Sequence, residues 1–248
     1  MPLDENILPQ RALVIVAHPD DVEYYCGGTL AGWICNGCEV TYLVTSSGEK
    51  GSHDLSIDAK ALSSLREEEQ RDSAMALGVK GVVFLRLPDS ELSFVNPDSL
   101  RGEFVRYIRS TRADVVLTHD PLTRLTRQHP DHRFVGQLAI DAAFPLSAVP
   151  QCYKEQIVDE GLMPHQPAYV LLFGTDQPNY WVDIGPTLEA KIDALSKHRS
   201  QVSAFDGGIS DRLRWKAQMI GQRARLRAAE EFLIVRVGPT LPTSNSES

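Results

Sequence analysis

The chain has 248 residues, 42% of them apolar and 23% charged, which is enough for one large single-core α/β domain and does not demand a second. A net charge of -8 and a pI near 5.4 argue against a nucleic-acid surface or an anionic-membrane face, because both gain only from a positive footprint; a neutral or cationic small substrate fits better. No apolar run is long enough to span a membrane, and Met1 to Gln10 carries acids and proline instead of a basic-then-apolar leader, so a soluble, cytoplasmic protein is expected.

Arg11 to Ala17 (RALVIVA) is an apolar run of strand length, followed by a helical stretch around Thr29 to Cys35 and a strand at Val40 to Thr45. The pattern repeats with a helix over Leu62 to Leu77 stopped by Gly78, a strand over Val82 to Leu87, a helix over Leu100 to Arg109 and a strand over Asp114 to Thr118. Further on, the spacing predicts a helix from Phe134 to Phe144, starting just after His132, and short strands at Tyr169 to Phe173 and Tyr180 to Ile184. Helices over Pro186 to His198 and Asp211 to Glu230 and a last strand over Glu231 to Val237 follow. Buried strands alternating with helices imply a single Rossmann-like α/β domain over residues 1–238, with a mainly parallel sheet covered on both faces; residues 239–248 are polar and proline-punctuated, a tail expected to be disordered. In such sheets ligands bind outside the carboxyl ends of the strands, where His18 follows the first strand and His119 and Asp120 follow the fourth.

Two distant segments carry the chemistry: Ala17 to Glu23 (AHPDDVE) and His129 to His132 (HPDH). Pro19 fixes its own φ and steers His18 away from helical geometry, so a sharp turn lets His18 and Asp21 converge on one point. With His132 as third ligand, two imidazoles and one carboxylate make a catalytic zinc site with an open position, whereas structural zinc sites close with four protein ligands. Such an ion activates water and polarises a carbonyl, and Asp20, adjacent but not needed as a ligand, is the candidate base. The same three ligands also describe the facial triad of non-haem iron oxygenases, so Fe2+ is an alternative ion. Cys26, Cys35, Cys38 and Cys152 form no disulfide framework; Cys35 and Cys38 are read as helix-end packing. No GxGxxG follows the first strand, and neither a Walker A nor a GxSxG motif is present.

The blocks AHPDDVE, Gly48-Glu49, Arg66 to Val79 (REEEQRDSAMALGV) and HPDH resemble the PIG-L/LmbE-like family of zinc-dependent N-acetylglucosaminide deacetylases. Asp89 to Leu92 (DSEL), His129 to Gly136, Pro178 to Ile184 (PNYWVDI) and Lys197 to Gln201 (KHRSQ) are most similar to the diacetylchitobiose deacetylases within it, and the resemblance covers roughly residues 11 to 205. It implies zinc on His18, Asp21 and His132, Asp20 as general base, and His129, oriented by Asp131, stabilising the oxyanion and protonating the departing amine. A buried carboxylate there would raise the imidazole pKa. It also implies that Arg66 and Asp89 contact sugar hydroxyls, that Glu49 borders the pocket, and that His198 reaches towards it or towards a neighbouring subunit. A homo-oligomer is implied, a hexamer being one form.

His119 is expected to line the site, and Trp181 to be a core or interface aromatic that could also offer a sugar-stacking face. The reading is therefore a metal-dependent hydrolase that removes acetyl groups from N-acetylglucosamine units of a small saccharide, N,N'-diacetylchitobiose first among them. An N-acetylglucosaminyl-inositol or malate conjugate is the alternative substrate. A metal-stabilised carbohydrate-binding protein without catalysis is the alternative class, against which the retained Asp20, His129 and Asp131 speak, since binding needs no base.

Overall fold

The computed structural model describes residues 7–123, 128–203, 208–239 and 241. Strand β1 (Arg11–Val16) forms from an apolar, valine-rich run of which every residue after the first is buried. Its alternation divides two cores: Ala12, Val14 and Val16 pack into one, Leu13, Ile15 and Ala17 into the other. A strand buried on both faces needs a layer on each side. Helices α1 (Asp21–Cys35) and α2 (Ala59–Leu77) send Val22, Cys26, Leu30 and Ala74 into the first core. Helices α3 (Pro97–Thr111) and α4 (Pro130–Asp141) send Phe104, Ile108, Val135 and Leu138 into the second.

Strands β2 (Glu39–Ser46), β3 (Gly81–Leu87), β4 (Val115–His119) and β5 (Tyr169–Phe173) pair in parallel through β1, in the order β3-β2-β1-β4-β5. The later chain is less regular. After α5 (Lys154–Val158), strand β6 (Tyr180–Asp183) forms the sheet edge. Helices α6 (Leu188–Ser196), α7 (Arg199–Val202) and α8 (Ile209–Ala224) precede β7 (Ala229–Arg236), which inserts antiparallel between β5 and β6. The result is a single α/β domain with a mainly parallel seven-stranded sheet. The strand order reverses between β1 and β4, so the crevice of such a sheet opens at their carboxyl ends.

Several boundaries differ from the sequence reading. Helix α1 starts at Asp21 and runs through Gly27 and Gly28, because those glycines serve packing: a Cβ on Gly28 would lie 2.8 Å from Ile184 Cγ2. Helix α4 starts at Pro130, with proline in the first turn and the His129 side chain capping it. His119 is the last residue of β4, and α8 ends at Ala224, where Arg225 turns left-handed at φ 59°. All four cysteines are free, and among the described residues no helix is long and apolar enough to cross a membrane. Of the expected tail, residues 240 and 242–248 lie outside the described residues.

Helix α4 reaches the end of β4 only because Gly136 has no side chain: a Cβ there would lie 2.4 Å from the His119 carbonyl oxygen. Gly136→Ala is expected to lower the unfolding free energy by about 2 kcal/mol, the usual cost of overpacking, read as a lower denaturation midpoint at unchanged m-value. An unchanged midpoint would show that the α4–β4 contact yields freely.

Candidate active site

The turn after β1 brings the first group together. The His18 backbone N–H donates to Asp21 Oδ2 at 2.9 Å, tying the loop to the first residue of α1. Between them Asp20 adopts φ 91° and ψ -24°, a left-handed conformation that for a non-glycine residue costs on the order of 1 kcal/mol or more. From the other side of the crevice α4 contributes His132. His18 Nδ1 lies 3.3 Å from His132 Nε2 and 3.7 Å from Asp21 Oδ2, and His132 Nε2 lies 3.2 Å from Asp21 Oδ1. Ligand atoms 2.0–2.2 Å from a tetrahedral ion stand about 3.4 Å apart, so the three residues fit a divalent ion in spacing as well as in donor type. His18, His129 and Asp131 form a second close group, but His129 Nδ1 and the Asp131 carboxylate are already hydrogen-bonded to backbone N–H groups. The His18, Asp21 and His132 set is the better candidate.

The carboxylates behind this set orient it. His18 Nε2 lies 3.0 Å from Asp89 Oδ1 and 3.3 Å from Asp131 Oδ2, which keeps a proton on Nε2 and leaves Nδ1, once deprotonated, to turn its lone pair to the cluster. Burial opposes a charge on His18, yet these two hydrogen bonds and the Asp21 charge push its pKa up to about 10. Asp21 is buried too, but the His132 and His119 imidazoles hold it well below the usual carboxylate range. His119 Nε2 sits 3.3 Å from Asp21 Oδ2, its ring stacked on His132 at 3.9 Å; burial, followed by the neighbouring His132, pushes it down to about 4. Burial and the adjacent Asp21 drive Asp20 up to about 6, against the pull of Arg66.

Two expectations are corrected. The Asp131 carboxylate does not orient His129: it accepts from Ser90 N at 2.7 Å and Leu92 N at 3.3 Å and approaches His18. The His129 pKa is not raised but lowered, first by burial and then by the His18 and His132 rings. Its Nδ1 accepts the Asp131 backbone N–H at 3.2 Å, so the neutral ring carries its proton on Nε2 and remains a hydrogen-bond donor.

Arg66 and Asp89 stand at the site but are engaged with the chain. Arg66 is 4% exposed and donates to Pro19 O at 2.7 Å, Gly48 O at 2.9 Å and Asp20 Oδ2 at 3.3 Å. Asp89, equally buried, accepts from Lys50 N at 3.0 Å, and Glu49 accepts from Asp89 N at 2.8 Å. His198 is fully buried and meets Glu23 at 3.2 Å, behind the cluster. Trp181 lies on edge strand β6 opposite Glu231, two strands from β5, and joins none of these groups. Sequence reasoning assigned no role to Gln70, Glu23 or Tyr25. Gln70 could have been noticed as the residue one helical turn after Arg66, and Glu23 closes the AHPDDVE block. A cavity of about 390 Å³ opens beside His132 and His119, lined also by Tyr25, Asp120, Asp176, Lys216 and Glu231.

Residues 13–143 match the family model described as PIG-L, GlcNAc-PI de-N-acetylase. Diacetylchitobiose deacetylase of Thermococcus kodakarensis is 35% identical over 192 residues, covering 77% of this chain and 70% of that protein. A probable N-acetyl-alpha-D-glucosaminyl L-malate deacetylase 2 of Bacillus cereus is 25% identical, over 80% of this chain and 86% of its own. Among solved structures, the N,N'-diacetylchitobiose deacetylase of Pyrococcus horikoshii in complex with its inhibitor MPG superposes with a TM-score of 0.83 at 33% identity, covering 92% of this chain and 84% of that one.

Removing any one of the three candidate ligands (His18→Ala, Asp21→Ala or His132→Ala) is expected to abolish tight divalent-metal binding in a chelator competition titration. Asp131→Ala, which touches the cluster only through His18, should weaken it about 10- to 100-fold. Equal affinity in the Asp131 variant and the unmodified protein would remove that carboxylate from the metal's support.

Proposed function

The chain belongs to the PIG-L family, and from that premise we propose that it is a zinc-dependent amide hydrolase that removes the acetyl group from an N-acetylglucosamine unit of a small saccharide, with N,N'-diacetylchitobiose as its leading substrate. The observation that carries the reading is the convergence of His18, Asp21 and His132 at metal-ligand spacing, with Asp20 immediately beside them. When bound there, a divalent ion supplies Lewis acidity that acidifies water and polarises the amide carbonyl.

The residues divide the rest of the work. Asp20 accepts the proton as the water oxygen adds to the carbonyl carbon. His129, with Nε2–H as donor, steadies the negative charge that develops on the carbonyl oxygen, an interaction of about 3 kcal/mol in comparable sites. The C–N bond then breaks, the nitrogen takes up a proton, and acetate and the free amino sugar leave. Zinc as the native ion, a cytoplasmic location and a homo-oligomeric state complete this reading.

Acetate release from N,N'-diacetylchitobiose, monomeric N-acetylglucosamine and N-acetylglucosaminyl-inositol, each with and without chelator, tests it. The expected result is chelator-sensitive release, fastest on the disaccharide; metal-loaded protein silent on all three would end the proposal. Asp20→Asn should keep metal and sugar binding while turnover falls at least 1,000-fold, whereas a pure binding protein would show no turnover to lose. His129→Ala should lower kcat about 100-fold with little change in KM.

A further inference from the structure

We propose that Gln70 is a positioning residue for this reaction, holding the Pro19–Asp20 peptide so that the Asp20 carboxylate stays beside the metal cluster, with Glu23 and His198 fixing the Gln70 amide in turn. The inference rests on the function proposed above.

Asp20 is held at φ 91°, a conformation its own side chain does not favour and to which it contributes no capping bond. The hold comes from α2. The two polar groups of the Pro19–Asp20 peptide are gripped by side chains one helical turn apart: the Pro19 carbonyl accepts from Arg66 Nη2 at 2.7 Å, and the Asp20 N–H donates to Gln70 Oε1 at 3.0 Å. Gln70 is fully buried, and its Nε2 donates to Glu23 Oε1 at 2.9 Å. Glu23, also fully buried, offers its other oxygen to His198 Nε2 at 3.2 Å.

The partners leave the amide one orientation. Turned over, it would set an NH2 against the Asp20 N–H and a carbonyl against the Glu23 carboxylate, stranding buried groups on both sides. A buried relay from His198 through Glu23 and Gln70 therefore ends on the backbone of the proposed base. The next residue, Asp21, opens α1, so the same grip fixes the angle between base and ligand.

A glue that merely joins α1 to α2 would cost stability when cut, without altering turnover of the folded, metal-loaded protein. Gln70→Met keeps size and helix propensity while removing both hydrogen bonds. It is expected to lower kcat about 10- to 100-fold, with KM and metal affinity within threefold of the unmodified protein. In NMR, hydrogen exchange at the Asp20 amide should speed up in the same variant. The double exchange Glu23→Gln with Gln70→Glu restores every donor–acceptor pair, because the amide then at position 23 donates to the carboxylate then at position 70, and that carboxylate accepts from the Asp20 N–H. It should recover kcat to within about threefold. If Gln70→Met does not fold, Glu23→Gln alone, which loosens the amide without emptying the site, is expected to lose kcat severalfold. A kcat within twofold of normal, a loss confined to KM or to metal affinity, or no recovery in the double exchange overturns the proposal. Unmodified protein that releases no acetate overturns instead the function on which it rests, and the Asp20 amide exchange still decides whether Gln70 holds the turn.

Discussion

The carboxylate of Asp21 is the group around which the site is arranged. It is 5% exposed, and burying a carboxylate is costly unless it is paired and hydrogen-bonded. The His18 backbone N–H, His119 and His132 supply those partners from the end of β1, the end of β4 and the first turn of α4. Removing the carboxylate would leave three imidazoles facing one another with no reason to converge. The fold places these elements together because β1 and β4 are neighbours at the point where the strand order reverses.

Around that centre the structure builds a shell of buried charged groups. Asp89 and Asp131 lie behind His18, Glu23 lies between Gln70 and His198, and Arg66 bridges from α2 to the loop carbonyls. Each carboxylate is buried, and each is satisfied mainly by backbone N–H groups or by another side chain of the site. Carboxylates paired in this way rigidify the groups they hold, and a proposed base standing next to a candidate ligand requires that rigidity.

The parallel sheet was legible because its strands are continuous apolar runs, and the His18, Asp21 and His132 set because histidine and aspartate recur in short proline-stiffened blocks after strands. What the sequence hid was direction. Asp131 lies two residues from His129, yet its carboxylate points back to His18 and the Ser90 loop, since helix α4 turns that face inward. The resemblance puts Arg66 on the sugar hydroxyls, and only the fold shows that Arg66 and Gln70, four residues apart on α2, both grip the loop after β1. Tyr25 and Gln70 carry no motif of their own. Trp181 sits in a block that resembles the family, but β7 inserts between it and β5, and no periodicity announces such an antiparallel insertion.

The lowered pKa of His129 narrows how the site handles charge. Asp131 helps to hold the proton of His18 on Nε2, so it is not available to make His129 a standing cation. The His129 ring caps α4 with Nδ1, and burial, followed by the neighbouring His18 and His132 imidazoles, disfavours a second proton. A neutral Nε2–H donor is the form these contacts select. Such a donor needs no protonation step before it meets a developing oxyanion, whereas an imidazolium beside a divalent cation would have to be formed against two like charges. In the proposed reaction Asp131 would therefore support the cluster and only indirectly the chemistry, and Asp20, having received a proton from water, would be the group to return one to the departing nitrogen.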